Sequence, residues 1–312
     1  MADPRVVLDG LAVAPGEMVT LSRALALGFT RDQVRHFARS GRWTRVARGC
    51  FVPVPGWDVA SLRRARIRAA VASLGPDAVA VLGTAAELHG IGGLPRTAAV
   101  HVSLPGRRSR PLRRTDPNLV VHQFVLQPSH IGTLAGVPAT TPVRTVADLL
   151  LRVGRYPAVC LVDSALNRRL FTEPDLGAVA ALLARRRGAV SARKWLVEAD
   201  GRAQSPLETR ARLRCVDGGV PPDVLQVEVR DADGYLLGVG DLGWRARRLI
   251  AEADGRAAHG SARALFEDRR RQNRLVNASW TILRFTWSDT LHPDYIPHVV
   301  RQALQASTRN RS

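Results

Sequence analysis

Lysine is almost missing from this 312-residue chain: Lys194 stands alone among 46 basic residues, leaving 45 arginines. Such replacement is what GC-rich coding produces whatever the function, so the net charge of +19 is weak evidence for a polyanionic partner, though it suits one through counterion release. Cysteine is scarce too. Cys50, Cys160 and Cys215 form no CxxC pair, which excludes a disulfide framework and a zinc cluster. No apolar run reaches the roughly 18 residues of a membrane span; the longest, from Leu176, reads LGAVAALLA. The opening MADPRVVLDG carries acids and lacks the basic-then-apolar start of a signal peptide, so a cytoplasmic protein without a membrane partner is expected. No Walker A sequence and no HExxH occur, which argues against a P-loop enzyme and a zinc hydrolase. Gly238 to Gly243 reads G-x-G-x-x-G, but turn and strand signals follow it where a pyrophosphate would need a helix.

What is present is organised in three stretches, expected as domains at 1–56, 57–200 and 201–312. In the first, Thr20 can cap a short helix that Gly28 ends, and Thr30 with Gln33 has capping-box spacing for a second helix closed at Gly41. An alternating stretch turning near Arg48-Gly49 reads as a hairpin. Together these predict a helix-turn-helix with a wing, whose second helix would present Arg31, Gln33, Arg35 and Arg39 to double-stranded DNA. The same residues are also what a solvated helix face carries, and helix-turn-helix geometry occurs in purely protein-binding domains.

The middle stretch reads as mixed helix and strand. Asp58 can cap a helix running to about Leu74, whose arginines read as a solvated face. Between strands near 100–104 and 119–125 lies GRRSRPLRR, where Arg107, Arg108, Arg113 and Arg114 could clamp phosphates without reading sequence. Helices are expected after Thr141-Pro142 and from Thr172 with Pro174, and DGRAQSP, from Asp200, as a linker. The order of GTAAELHGIGGLP, VHVSLPGRRSR and GVPATTPVRTVADLL after the N-terminal unit resembles AbiEi-type antitoxins, the repressor half of a toxin–antitoxin pair. Over about residues 8–170 the resemblance implies a DNA-binding regulator with a cognate toxin protein as partner.

The last stretch reads helix, strand, strand, strand, helix, strand. In LIAEADGRAAHG, from Leu249, Glu252 and Asp254 share one face of an extended strand. If the preceding hairpin turns about Arg245 to Arg248, Asp241 lies opposite Glu252 and three carboxylates converge, with Glu208 as a fourth. Such a set fits Mg²⁺ or Mn²⁺, which take hard oxygen ligands. Glu208 also stands three residues after Ser205, with Pro206 at the first helical position, and capping is its first reading.

GVGDLGW, LIAEADGRAAHG, an arginine-rich helix and WTILRF resemble the Vsr-like domains of PD-(D/E)XK nucleases over about 203–287. The resemblance implies an αβββαβ restriction-endonuclease-like domain in which Asp241 and Glu252 hold metal, Asp254 and His259 complete the site, and Glu208 is the first-helix acid. The chain departs from that pattern where Asp254 stands in place of the usual lysine. Arginine cannot serve as a base in its stead, so His259 or a metal-bound hydroxide would have to accept the proton. The fold class expected overall is multidomain, α+β and α/β. The leading expectation is a DNA-binding, Mg²⁺-dependent endonuclease, and its rival a non-catalytic, antitoxin-like transcriptional repressor.

Overall fold

A computed structural model describes residues 16–53, 58–104, 117–255 and 262–309. Eleven α-helices and three β-sheets lie among them, as a mixed multidomain chain requires. Contacts divide the chain into two compact units, one of residues 1–90 with 95–148, the other of 91–94 with 149–312.

The first unit begins with β1 (Val19–Thr20), α1 (Leu21–Ala26) and α2 (Arg31–Arg39). Thr20 Oγ1 accepts the Arg23 amide, and at α2 both halves of the expected capping box form, from Gln33 N to Thr30 Oγ1 and from Thr30 N to Gln33 Oε1. Gly28 between the helices has φ +92°, a left-handed turn residue where a side chain would be strained. β2 (Thr44–Ala47) and β3 (Cys50–Val52) form the hairpin expected around Arg48-Gly49, and β1 pairs with β3 to give the order β1-β3-β2. Trp43 anchors this small body, with Phe29, Phe37 and Phe51 around it at centroid distances of 5.4, 5.5 and 5.9 Å.

Next come α3 (Val59–Leu74), β4 (Val79–Ala80), α4 (Leu82–His89), β5 (Val100–Ser103), β6 (Leu119–His122), β7 (Ile131–Leu134) and β8 (Val137–Thr140). Asp58 caps α3 through the Ser61 amide. The strands order as β6-β5-β4-β8-β7, and Ile67, Ala70 and Val71 of α3 cluster with Val100, Val102, Val137 and Ala139 of the sheet. Two of the α3 arginines do more than solvate a face. Arg63 holds Glu87 and the Ala98 and Ala99 carbonyls, and Arg68 pairs with Glu17 and reaches the Ala135 carbonyl.

Within α5 (Pro142–Leu150) the second unit begins. It continues with α6 (Arg155–Asn167), α7 (Leu176–Leu183), α8 (Ala189–Val197), α9 (Pro206–Asp217), β9 (Val224–Arg230), β10 (Leu236–Trp244), β11 (Leu249–Ala253), α10 (Ala262–Asn277), β12 (Thr281–Phe285) and α11 (Tyr295–Arg309). Thr172 and Pro174 open a 3₁₀ turn, Glu173–Asp175, and α7 follows it directly. Helix α11 was not expected, although Ile296, Val300 and Leu304 recur at helical spacing; it packs the first two into the core of the last sheet. That sheet orders β12-β11-β10-β9, antiparallel except for the β11–β12 pair.

Side chains alternate across this sheet. Leu249 and Ala251 join Ala211 and Cys215 of α9, whereas Ile250 joins Val227, Val229 and Leu275 of α10. The glycines of the GxGxxG stretch are explained by this packing. A Cβ on Gly240 would lie 2.3 Å from Ile250 Cγ2, and one on Gly243 2.8 Å from Val227 Cγ1. They are close-approach residues of β10, not a phosphate loop.

Candidate functional site

Two sets of side chains were singled out from the sequence. In the first unit, Val34 and Phe37 bury one face of α2, which leaves Arg31, Arg35 and Arg39 exposed at i, i+4 and i+8. That spacing lines them along one side of the helix. Arg35 pairs with Asp32 at 3.0 Å, but both side chains are largely exposed, so the pair is weak and easily exchanged for another anion. Gln33 is already engaged, its side-chain oxygen accepting the Thr30 amide. Arg42, Arg45 and Arg48, also exposed, extend the cationic surface onto the hairpin. RWTRVARG carries all three, but the alternation of a hairpin marks only where it turns and not which side chains meet a partner. Arg107, Arg108, Arg113 and Arg114 lie outside the described residues.

In the second unit the strand register pairs Leu242 with Ala251, which sets Asp241 beside Glu252 as expected. Asp241 Oδ2 accepts the Ala253 amide at 2.8 Å. Glu208, at the first turn of α9, has its own amide bonded to Ser205 Oγ. Its carboxylate departs from the capping box, because Oε2 accepts from Gln204 N at 2.8 Å and Gln226 Nε2 at 2.9 Å and not from Ser205 N. Gln226 also bonds Asp241, so one amide side chain links the two acids. Burial raises the Glu208 carboxyl above its ordinary range and the Asp241 charge adds to that, against the hydrogen bonds. Asp241 is raised in the same way, by burial first and by Glu252.

Glu252 meets cations. Arg271 of α10 stands 2.7 Å from its Oε1 and Arg284 of β12 stands 3.3 Å from its Oε2, and both arginines also hold Asp268. Carboxylates packed side by side repel unless a cation stands beside them, and here two arginines supply it. No sequence signal marks either arginine, since each is remote from Glu252 along a chain with 45 arginines. Asp254 is half-buried at the end of β11, its amide bonded to the Phe285 carbonyl. His259 lies outside the described residues. Among the described residues no group of three or more His, Cys, Asp or Glu is arranged to hold a metal ion, and no helix is long and apolar enough to cross a membrane.

The raised carboxyls make one prediction. A folded-state value above the unfolded one means that the proton is held more tightly when folded, so each acid's contribution is fully present at low pH and is lost as pH rises through the folded value. In chelator at pH 8, Asp241→Asn should therefore change stability by less than about 1 kcal/mol, with relief of buried charge offsetting the weaker acceptor for Ala253 N. At pH 5 that relief shrinks and the variant should fare worse relative to the parent. Melting curves at the two pH values check this; a larger loss at pH 8 would show that the carboxylate is held for its charge.

Comparison with known proteins supplies what geometry alone does not. Two Mycobacterium tuberculosis proteins, MT2308 and Rv2248, both described as uncharacterised, are each 34% identical to this chain over 224 residues, 72% of this chain and 80% of each relative. The chain belongs to their family. Residues 78–198 match the family model for the AbiEi antitoxin C-terminal domain, the region holding the three segments that carried the antitoxin resemblance. Among solved structures, the crystal structure of the RV2827C protein from Mycobacterium tuberculosis covers 72% of this chain and 87% of its own at 15% identity and a TM-score of 0.45, too low a likeness to argue from.

Proposed function

We propose that this chain is an antitoxin-type, DNA-binding transcriptional regulator with a protein toxin as its partner, acting in the cytoplasm. The observation that carries the reading is the AbiEi antitoxin match over residues 78–198. The geometry agrees with it: residues 16–53 form two short helices, a glycine turn and a hairpin, the layout of a winged helix-turn-helix, and α2 presents three exposed arginines on one side. Such a helix enters the major groove, with arginines on base edges or phosphates. In the full chain, Arg31→Ala with Arg35→Ala should weaken duplex binding about tenfold or more, each contact being worth about 1–3 kcal/mol. The slope of log K against log salt should become shallower by about 2. Fluorescence anisotropy with the duplex upstream of the gene measures both; a parent chain with no salt-dependent duplex affinity would overturn the reading. Co-purification with the product of the neighbouring gene tests the toxin partner.

A second reading, a metal-dependent endonuclease, rests on Asp241 lying beside Glu252 in the strand register and on Gln226 joining Glu208 to Asp241. Glu208 and Asp241 are the acids that would hold Mg²⁺ or Mn²⁺, which would supply a Lewis acid for a phosphodiester. Glu252 would first have to exchange Arg271 and Arg284 for the ion, and no lysine stands in this region. Mn²⁺-dependent stabilisation together with nicking of plasmid DNA, both lost in Asp241→Asn, would favour this reading over the regulator.

A further inference from the structure

A second cationic feature lies in the second unit, in residues that neither reading uses. Arg210 and Arg214 stand one turn apart on α9. The Arg210 guanidinium carbon lies 4.9 Å from the ring centre of Trp287 and 5.2 Å from that of Tyr156, and that of Arg214 lies 4.7 Å from Tyr156. Both arginines are pinned through Nε: Arg210 donates to Thr290 Oγ1 at 3.0 Å and Arg214 to the Thr290 carbonyl at 2.8 Å, and Thr290 itself is fully buried. Tyr156 is fixed from its other end, its hydroxyl donating to Asp217 at 2.6 Å. Arg155, on the same ring, is consumed by ion pairs with Glu198 and Asp217. Among the described residues no hydrogen bond or ion pair engages the Nη groups of Arg210 or Arg214.

The result is a pair of preorganised guanidinium ends beside a tryptophan that is 48% exposed, with Leu291 and Tyr295 also exposed further along the chain. Packing accounts for Tyr156, which is half-buried. It does not account for Trp287, whose large exposed area contributes little to the core. A guanidinium with Nε fixed and both Nη groups available fits phosphate oxygens, because little side-chain entropy remains to be lost on binding. An exposed indole backed by a cation is a stacking surface for a nucleobase. The exposed indole selects a nucleic-acid strand over an acidic peptide, because an aspartate or glutamate side chain has no ring to stack on it.

We propose that Trp287, Arg210 and Arg214 form a binding site for an unpaired nucleotide of a DNA strand, its base stacked on Trp287 and its phosphate held by the two arginines. The site goes beyond the regulator reading and is independent of α2.

The test uses the full chain, a labelled oligothymidylate of about 12 nucleotides and a duplex of similar length, read by anisotropy at several salt concentrations. Trp287→Ala should weaken single-strand binding about tenfold, the scale of one lost base stack, and leave duplex binding within about twofold. Trp287→Phe should restore most of the single-strand affinity, which keeps the test decisive if the alanine variant melts early. Arg210→Gln with Arg214→Gln should weaken binding and flatten the single-strand salt slope by about 1.4. Arg31→Ala with Arg35→Ala should lower duplex affinity far more than single-strand affinity, the reverse of Trp287→Ala, so that failure of this site and failure of the α2 assignment are told apart. A Trp287→Ala protein of normal melting that binds the strand like the parent overturns the site, as does a parent chain without salt-dependent single-strand affinity. Preferential binding of polyglutamate at the same residues also overturns it, in favour of an acidic protein partner.

Discussion

Replacing Arg212 by alanine should cost the second unit about 3–5 kcal/mol at pH 8, because it strands a buried carboxylate. Asp163 on α6 is 1% exposed. One of its oxygens accepts from Arg212 Nη2 at 3.0 Å and Thr209 Oγ1 at 2.9 Å, and the other accepts the Asp200 amide at 2.7 Å. Burial pushes the Asp163 carboxyl up to about 6, and Arg212 is the foremost of the groups opposing that rise. The folded value lies above the ordinary 3.8. The aspartate's contribution is therefore fully favourable below about pH 4, declines as pH rises through about 6, and is lowest at pH 8. Without Arg212 the carboxyl is raised further, so the loss of stability should be markedly greater at pH 8 than at pH 5. Arg212 also donates to the Glu198 carbonyl, and this part of the loss does not depend on pH. Thermal melting of Arg212→Ala at the two pH values decides it; equal losses would mean that Arg212 acts through packing and the carbonyl bond alone. Arg212→Met with Asp163→Leu, which removes both charges, should recover much of the stability.

Trp43→Ala should unfold the N-terminal part of the first unit and abolish the duplex binding proposed for it. The ring is 1% exposed and is ringed by Phe29, Phe37 and Phe51. Its loss empties the centre of a small cluster, at about 3–5 kcal/mol for a buried aromatic cut to alanine. A body of this size has little reserve to absorb that. The indole Nε1 is buried without a hydrogen-bond partner, so Trp43→Phe forfeits volume but no hydrogen bond and should be much milder, with duplex affinity kept. Anisotropy and hydrogen exchange across residues 16–53 check both variants. Duplex binding that survives in Trp43→Ala would show that DNA is held elsewhere in the chain.

How far the sequence could be read depended on the range of the interactions. Thr20, Thr30, Asp58 and Ser205 were recognisable as caps because a cap bonds an amide three residues away, and the structure contains each of those bonds. The β2–β3 hairpin was legible because a glycine and alternating burial suffice to turn it. The segment from Asp200, rich in turn residues, read as a linker. Its Asp200 amide is in fact tied to Asp163 and Ala203 is buried, and nothing local to the segment encodes either fact.

By itself the sequence determined the local elements, the opposition of Asp241 and Glu252 across one hairpin, the arginine face of α2 and the antitoxin resemblance of the middle region. These follow from side-chain period, capping and turn chemistry, which act over a few residues. Only the tertiary structure decided how the acids are compensated. Glu252 draws Arg271 from α10 and Arg284 from β12, Glu208 and Asp241 share Gln226 from β9, and Asp163 on α6 receives Arg212 from α9. In a chain with 45 arginines no sequence pattern marks which guanidinium meets which carboxylate. That selection comes from burial, since an ion removed from water must find its counter-charge among the groups that packing of remote elements brings within reach.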